Sequence, residues 1–72
     1  MTIGDILKTK RLEKNLTQKE LAESSGITQS MISKLEQGVS ENISIEALRK
    51  LAKSLHCPVI DLLPESDKKH FK

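Results

Sequence analysis

Gln29, Ser30, Ser33, Lys34 and Gln37 recur through the run GITQSMISKLEQG, residues 26–38. At about 100° per residue their spacing gathers them on one arc of a helix, with Met31, Ile32 and Leu35 on the other. The polar arc consists of amides, hydroxyls and one ammonium, groups that exchange hydrogen bonds at short range. It contains no acidic residue, although the chain has ten. A helix face that meets only water usually includes Glu. A face that enters the major groove of DNA must omit it, because phosphates repel a carboxylate. Gln pairs with adenine N6 and N7, and one good bidentate pair discriminates by about 1–3 kcal/mol. The arc therefore reads as a base-reading surface, with an ordinary solvated face as the alternative. Glu36 stands at the border between the arcs. It needs a partner, and Arg11, on the inward side of the first helix, supplies one. The rival arrangement exposes Glu36 and puts Arg11 on a phosphate.

Little else in the chain suggests chemistry. His56 and Cys57 are adjacent, and adjacent residues rarely converge on one metal ion; no further Cys or nearby His completes a site. Cys57 reads as a small buried residue. No carboxylate pair, nucleophile–base arrangement or glycine-rich phosphate loop stands out, so neither an enzyme nor a cofactor or metal is expected. Met31 reads as core packing, with contact to a thymine methyl as the other option. Lys8, Lys10, Arg11 and Lys14 cluster early, opposed only by Asp5 and Glu13. Such a patch suits a polyanion, and it also suits plain solvation.

The elements that position these residues announce themselves by their starts. An apolar residue, a hydroxyl and a second apolar residue recur as Leu16-Thr17 with Leu21, Ile27-Thr28 with Ile32, and Ile43-Ser44 with Leu48. Each is an N-cap within a hydrophobic staple. Met1-Thr2 with Ile6 fits the same pattern, and Glu20 completes a capping box with Thr17. Helices are predicted to start near Ile3, Gln18, Gln29 and Ile45. The first ends near Lys14, where Asn15 tolerates a left-handed cap. The second ends before Gly26 and the third before Gly38. The fourth runs to about Leu55, with Ile45, Leu48, Leu51, Ala52 and Leu55 on one side. A short fifth, near Val59 to Leu63, lies between Pro58 and Pro64. The second and third helices meet at a sharp corner, where Gly26 permits positive φ and Ala22 is small at their closest approach. This is the signature of a helix-turn-helix.

With 72 residues the chain is one domain, residues 1–64, followed by a polar tail, residues 65–72, that carries Lys68, Lys69 and Lys72. A core this small buries roughly 60% of the unfolded surface. A lone Cys57 favours a reducing cytoplasm. No signal peptide or membrane span is expected. Phe71 is the single aromatic residue, which argues against a stacking platform for single strands.

The run LTQKELAESSGITQSMISKLEQG, followed by SIEALRKLAKSL and VIDLL, resembles the lambda repressor/Cro (Xre-type) helix-turn-helix family over about Ile3 to Leu63. The resemblance implies an all-α, compact five-helix domain. It implies that Gln18 binds phosphate and braces Gln29, that Ser30 and Lys34 contact bases with Ser33 beside them, that Thr17 caps its helix against a phosphate, and that Arg11 and Glu36 form a buried pair. Lys10 and Lys19 join Thr17 and Gln18 as phosphate contacts. The loop after Gly38 is usually basic. Here it carries Glu41 and is lengthened, as in SinR-like repressors, leaving Ser40 and Asn42 for a phosphate. His56 occupies a place often held by Gly, so the fourth helix is expected to end differently. The expected function is sequence-specific binding of double-stranded DNA by a repressor-type homodimer joined through Ile60, Leu62 and Leu63. The alternative is a protein-binding module of the same fold, an antitoxin or antirepressor partner.

Overall fold

The computed structural model describes residues 2–40 and 42–64; the tail, Met1 and Glu41 lie outside the described residues. Four α-helices follow one another: α1 (Ile3–Glu13), α2 (Gln18–Ser25), α3 (Gln29–Glu36) and α4 (Ile45–Ser54). Each begins where a hydroxyl takes a backbone N–H three residues on. Thr2 accepts from Asp5 at 3.2 Å, Thr17 from Glu20 at 3.0 Å, Thr28 from Met31 at 3.2 Å and Ser44 from Ala47 at 3.1 Å. Thr17 and Glu20 close a reciprocal box, as their spacing predicts. Asp5 closes a second one with Thr2, a carboxylate one methylene shorter than the Glu of the usual motif.

The helix ends are equally local. Asn15, Gly38 and His56 all adopt the left-handed conformation, with φ of 57°, 76° and 54°. In each case the next N–H reaches back to the last turn: Leu16 to the Arg11 carbonyl, Val39 to Lys34 and Cys57 to Ala52, at 3.0–3.1 Å. This is the Schellman arrangement. The expectation that His56 changes the ending of the fourth helix is therefore corrected. α4 stops as it does with Gly there, and His56 takes the strained backbone itself.

The fifth element is a 3-10 helix, Val59–Leu62, not an α-helix. Pro58 at its start and Pro64 just beyond leave too few residues for a stable α-helical turn. Leu62 and Leu63 from this segment join Leu7, Leu21, Ile32, Leu35, Leu48, Leu51, Ala52 and Leu55 in one core. Ile45, predicted on the apolar side of α4, is instead half exposed at the helix's first position. Cys57 and Met31 are half-buried and packed against the core. Burial pushes the Cys57 thiol above its ordinary pKa. Among the described residues no helix is long and apolar enough to cross a membrane.

α1 lies directly on α3. Gly4 is buried, and a Cβ there would collide with the Leu35 carbonyl oxygen and stand 3.2 Å from Glu36 Cα. The close approach brings the inward face of α1, and Arg11 on it, to the end of α3.

Candidate nucleic-acid interface

The corner between α2 and α3 is built on Gly26, whose φ of 77° ends α2, and on Ser25. The Ser25 hydroxyl is buried and accepts the Ile27 N–H at 3.1 Å. That bond turns the chain from one helix into the next, a role the sequence spacing did not disclose. Leu21, Ile32 and Leu35 fill the angle between the helices, with Ile27 packed against them.

With its apolar side held inward, α3 presents Gln29, Ser30, Lys34 and Gln37 to solvent; Ser33 is half-buried. Gln37 Nε2 donates to Ser33 Oγ at 3.0 Å. The acid of α3, Glu36, is turned away from this face. Its side chain is 4% exposed, and Arg11's is 9% exposed. Arg11 Nε donates to Glu36 Oε2 at 2.8 Å and Nη2 to Oε1 at 3.0 Å, a bidentate pair. Arg11 Nη1 donates to the Leu16 carbonyl at 2.7 Å, and Gln18 Nε2 donates to Glu36 Oε1 at 3.1 Å. One buried cluster thus ties α1, the α1–α2 turn, the start of α2 and the end of α3. The hydrogen bonds that Arg11 donates to Glu36 raise the Arg11 pKa despite burial.

The brace from Gln18 to Gln29 implied by the resemblance is not what the structure contains: Gln18 is held by Glu36 instead. A carboxylate with two free lone-pair directions attracts the amide more strongly than a neutral amide does. Around this cluster, Thr17 and Lys19 are exposed and Lys10 is half exposed, 3.9 Å from Glu13. Beyond α3, Asn42 is exposed and Ser40 half-buried, its N–H 3.3 Å from the Lys34 carbonyl. Of the three residues expected to join two copies, Leu62 and Leu63 are spent on the chain's own core, and Ile60 alone stays 37% exposed. Among the described residues no cluster of side chains could hold a metal ion.

Two short helices at a glycine corner, the second with an exposed and acid-free polar face, define a helix-turn-helix domain. The family model described as helix-turn-helix matches residues 7–62, and the chain belongs to this lambda repressor/Cro-like (Xre-type) family. Similar proteins include the HTH-type transcriptional regulator SinR of Bacillus licheniformis, 36% identical over 69 residues, which are 96% of this chain and 62% of that protein. SinR of Bacillus subtilis is 38% identical over 69 residues, with the same coverage of 96% and 62%. The HTH-type transcriptional regulator SlrR of Bacillus subtilis is 35% identical over 60 residues, 83% of this chain and 40% of SlrR. The chain thus spans about three-fifths of the SinR length. No solved structure matches the chain.

Proposed function

We propose that the chain is a sequence-specific, double-stranded DNA-binding transcriptional regulator of the repressor type. α3 enters the major groove while α2 lies across the backbone. Gln29, Ser30, Ser33 and Lys34 read bases; Lys10, Thr17, Gln18 and Lys19 hold phosphates, with Ser40 and Asn42 beside the groove. The observation that carries this reading is the outward face of α3: exposed donors and acceptors, with the Glu36 carboxylate withdrawn onto Arg11 and Gln18. The names of the relatives, transcriptional regulators, point the same way. A reader this small covers few base pairs, so two copies act on a two-fold site with half-sites about 34–36 Å apart. Of Ile60, Leu62 and Leu63, Ile60 is the one left exposed for contact between them. Such a regulator works in the cytoplasm.

Binding to a random duplex at two salt concentrations tests the class. A regulator binds non-specifically, and its affinity falls steeply as salt rises, because each neutralised phosphate releases counterions. Little binding at either concentration would instead identify a protein-binding module of the same fold. Selection from a random duplex pool then reports specificity, symmetry and spacing together.

A further inference from the structure

On the proposed reading face, the hydrogen bond between Gln37 and Ser33 has a directional consequence. We infer that Gln37 is a positioning residue that orients the Ser33 hydroxyl toward a base and biases Ser33 toward donation. The inference rests on the reading of α3 as the recognition helix and adds a determinant of specificity to it.

A serine hydroxyl has one donor and two acceptor sites, and free rotation normally lets it serve either partner. Here Gln37 Nε2 donates to Ser33 Oγ at 3.0 Å, so an acceptor site of the hydroxyl is taken along the helix axis. An amide nitrogen accepts nothing in return. The hydroxyl proton finds no acceptor among the hydrogen bonds of the described residues and is left for an outside partner. Gln37 itself lies at the centre of the exposed arc. It is seven residues after Ser30, which at 100° per residue leaves the two about 20° apart on the helix wheel. Its helical backbone, φ −82° and ψ −8°, carries the arc to the cap. A donor at Ser33 suits guanine N7 or O6, thymine O4 or adenine N7, and is mismatched with cytosine, whose major-groove edge offers only the N4 donor.

Sequence selection from a random duplex pool with the wild-type chain and the variants Ser33→Ala, Gln37→Ala, Gln37→Lys and Gln37→Glu tests this. The base pair whose preference Ser33→Ala removes is the one Ser33 reads. At that base the wild type is expected to select against cytosine. Gln37→Ala should weaken the preference roughly three- to tenfold, the range of one ordinary hydrogen bond. Gln37→Lys, which still donates to Ser33, should keep it. Gln37→Glu can only accept, so it should draw the hydroxyl proton inward and shift the preference toward cytosine. An unchanged preference in Gln37→Ala or Gln37→Glu overturns the inference, as does a Ser33→Ala variant with wild-type selectivity. A wild type that selects no sequence at all overturns the underlying DNA-reading proposal instead.

Discussion

Arg11 and Glu36, 25 residues apart in sequence, meet through two hydrogen bonds of 2.8 and 3.0 Å. The pair sits where α1, α2 and α3 converge, and Gln18 completes it from the side. Its position links stability to the recognition surface, because the carboxylate that would spoil the face of α3 is the one that anchors α3 to α1.

Removing one partner strands a buried charge. Glu36→Ala should therefore destabilise the domain by about 3–5 kcal/mol, whereas replacing both partners with apolar residues should recover much of that loss. For a domain of this size the single change lowers Tm by more than about 10 °C. The Arg11 pKa is raised in the folded state, so its contribution is complete below the unfolded value and is lost only as pH rises through the higher folded value. A Tm within about 2 °C of wild type for Glu36→Ala would contradict the pair's structural role.

Gly4 should be intolerant of any side chain, although it sits inside a helix where Ala is ordinarily better by roughly 0.5–1 kcal/mol. The obstacle is backbone: the Leu35 carbonyl cannot swing away as a flexible side-chain end would. Gly4→Ala is expected to cost about 1–3 kcal/mol in net stability, by forcing α1 off α3. Chemical denaturation with a higher midpoint than wild type would refute this packing account.

Much of the domain was legible because its signals are local. Thr2, Thr17, Thr28 and Ser44 mark helix starts through bonds that span three residues, and Asn15, Gly26 and Gly38 mark turns through backbone conformation alone. Tertiary choices were harder to read. Gly4 looks like a helix-weakening residue until α3 is laid upon it. Leu62 and Leu63 look available to a partner until the segment folds back onto α4. The resemblance pairs Gln18 with a phosphate and Gln29, and its hydrogen bond to Glu36 emerges only once α3 is in place. His56 gave a misleading signal because tertiary packing and the two bonds of the cap outweigh the strain of a single left-handed residue.

That strain leaves room for improvement. An L-residue in the left-handed region carries a penalty of about 1–2 kcal/mol, partly offset on changing to Gly by the greater freedom of the unfolded chain. His56→Gly should thus raise stability by roughly 0.5–1 kcal/mol. Asn15→Gly should gain less, because Asn visits this conformation more readily. A urea midpoint that falls for His56→Gly would mean that the imidazole makes contacts worth more than the backbone strain.

Acid should act on the first capping box. The Thr2 backbone N–H, then its hydroxyl, lower the Asp5 pKa from 3.8. Because the folded value lies below the unfolded one, the charged carboxylate's contribution is present above the unfolded pKa and disappears as pH falls through the folded value. Asp5→Asn should be less stable than wild type near neutrality, and the gap should close below about pH 4. Denaturation midpoints of the two proteins that stay equally far apart down to strong acid would exclude this linkage.

Base reading itself is tested at Gln29, the first residue of α3, exposed and free of any role in the core. A Gln that contacts a base edge loses a bidentate pair on truncation, so Gln29→Ala should weaken binding to the cognate site by about 1–3 kcal/mol and relax the preference at one position. Binding to unrelated duplex should hardly change, because that affinity comes from phosphates and their counterions. Lys19→Ala should do the reverse, weakening all sequences alike and reducing the dependence on salt by about one ion. The two variants separate the functions of neighbouring helices that share one rigid corner. Equal losses on every sequence for Gln29→Ala would assign it to the backbone and leave the base-reading face of α3 without its leading residue.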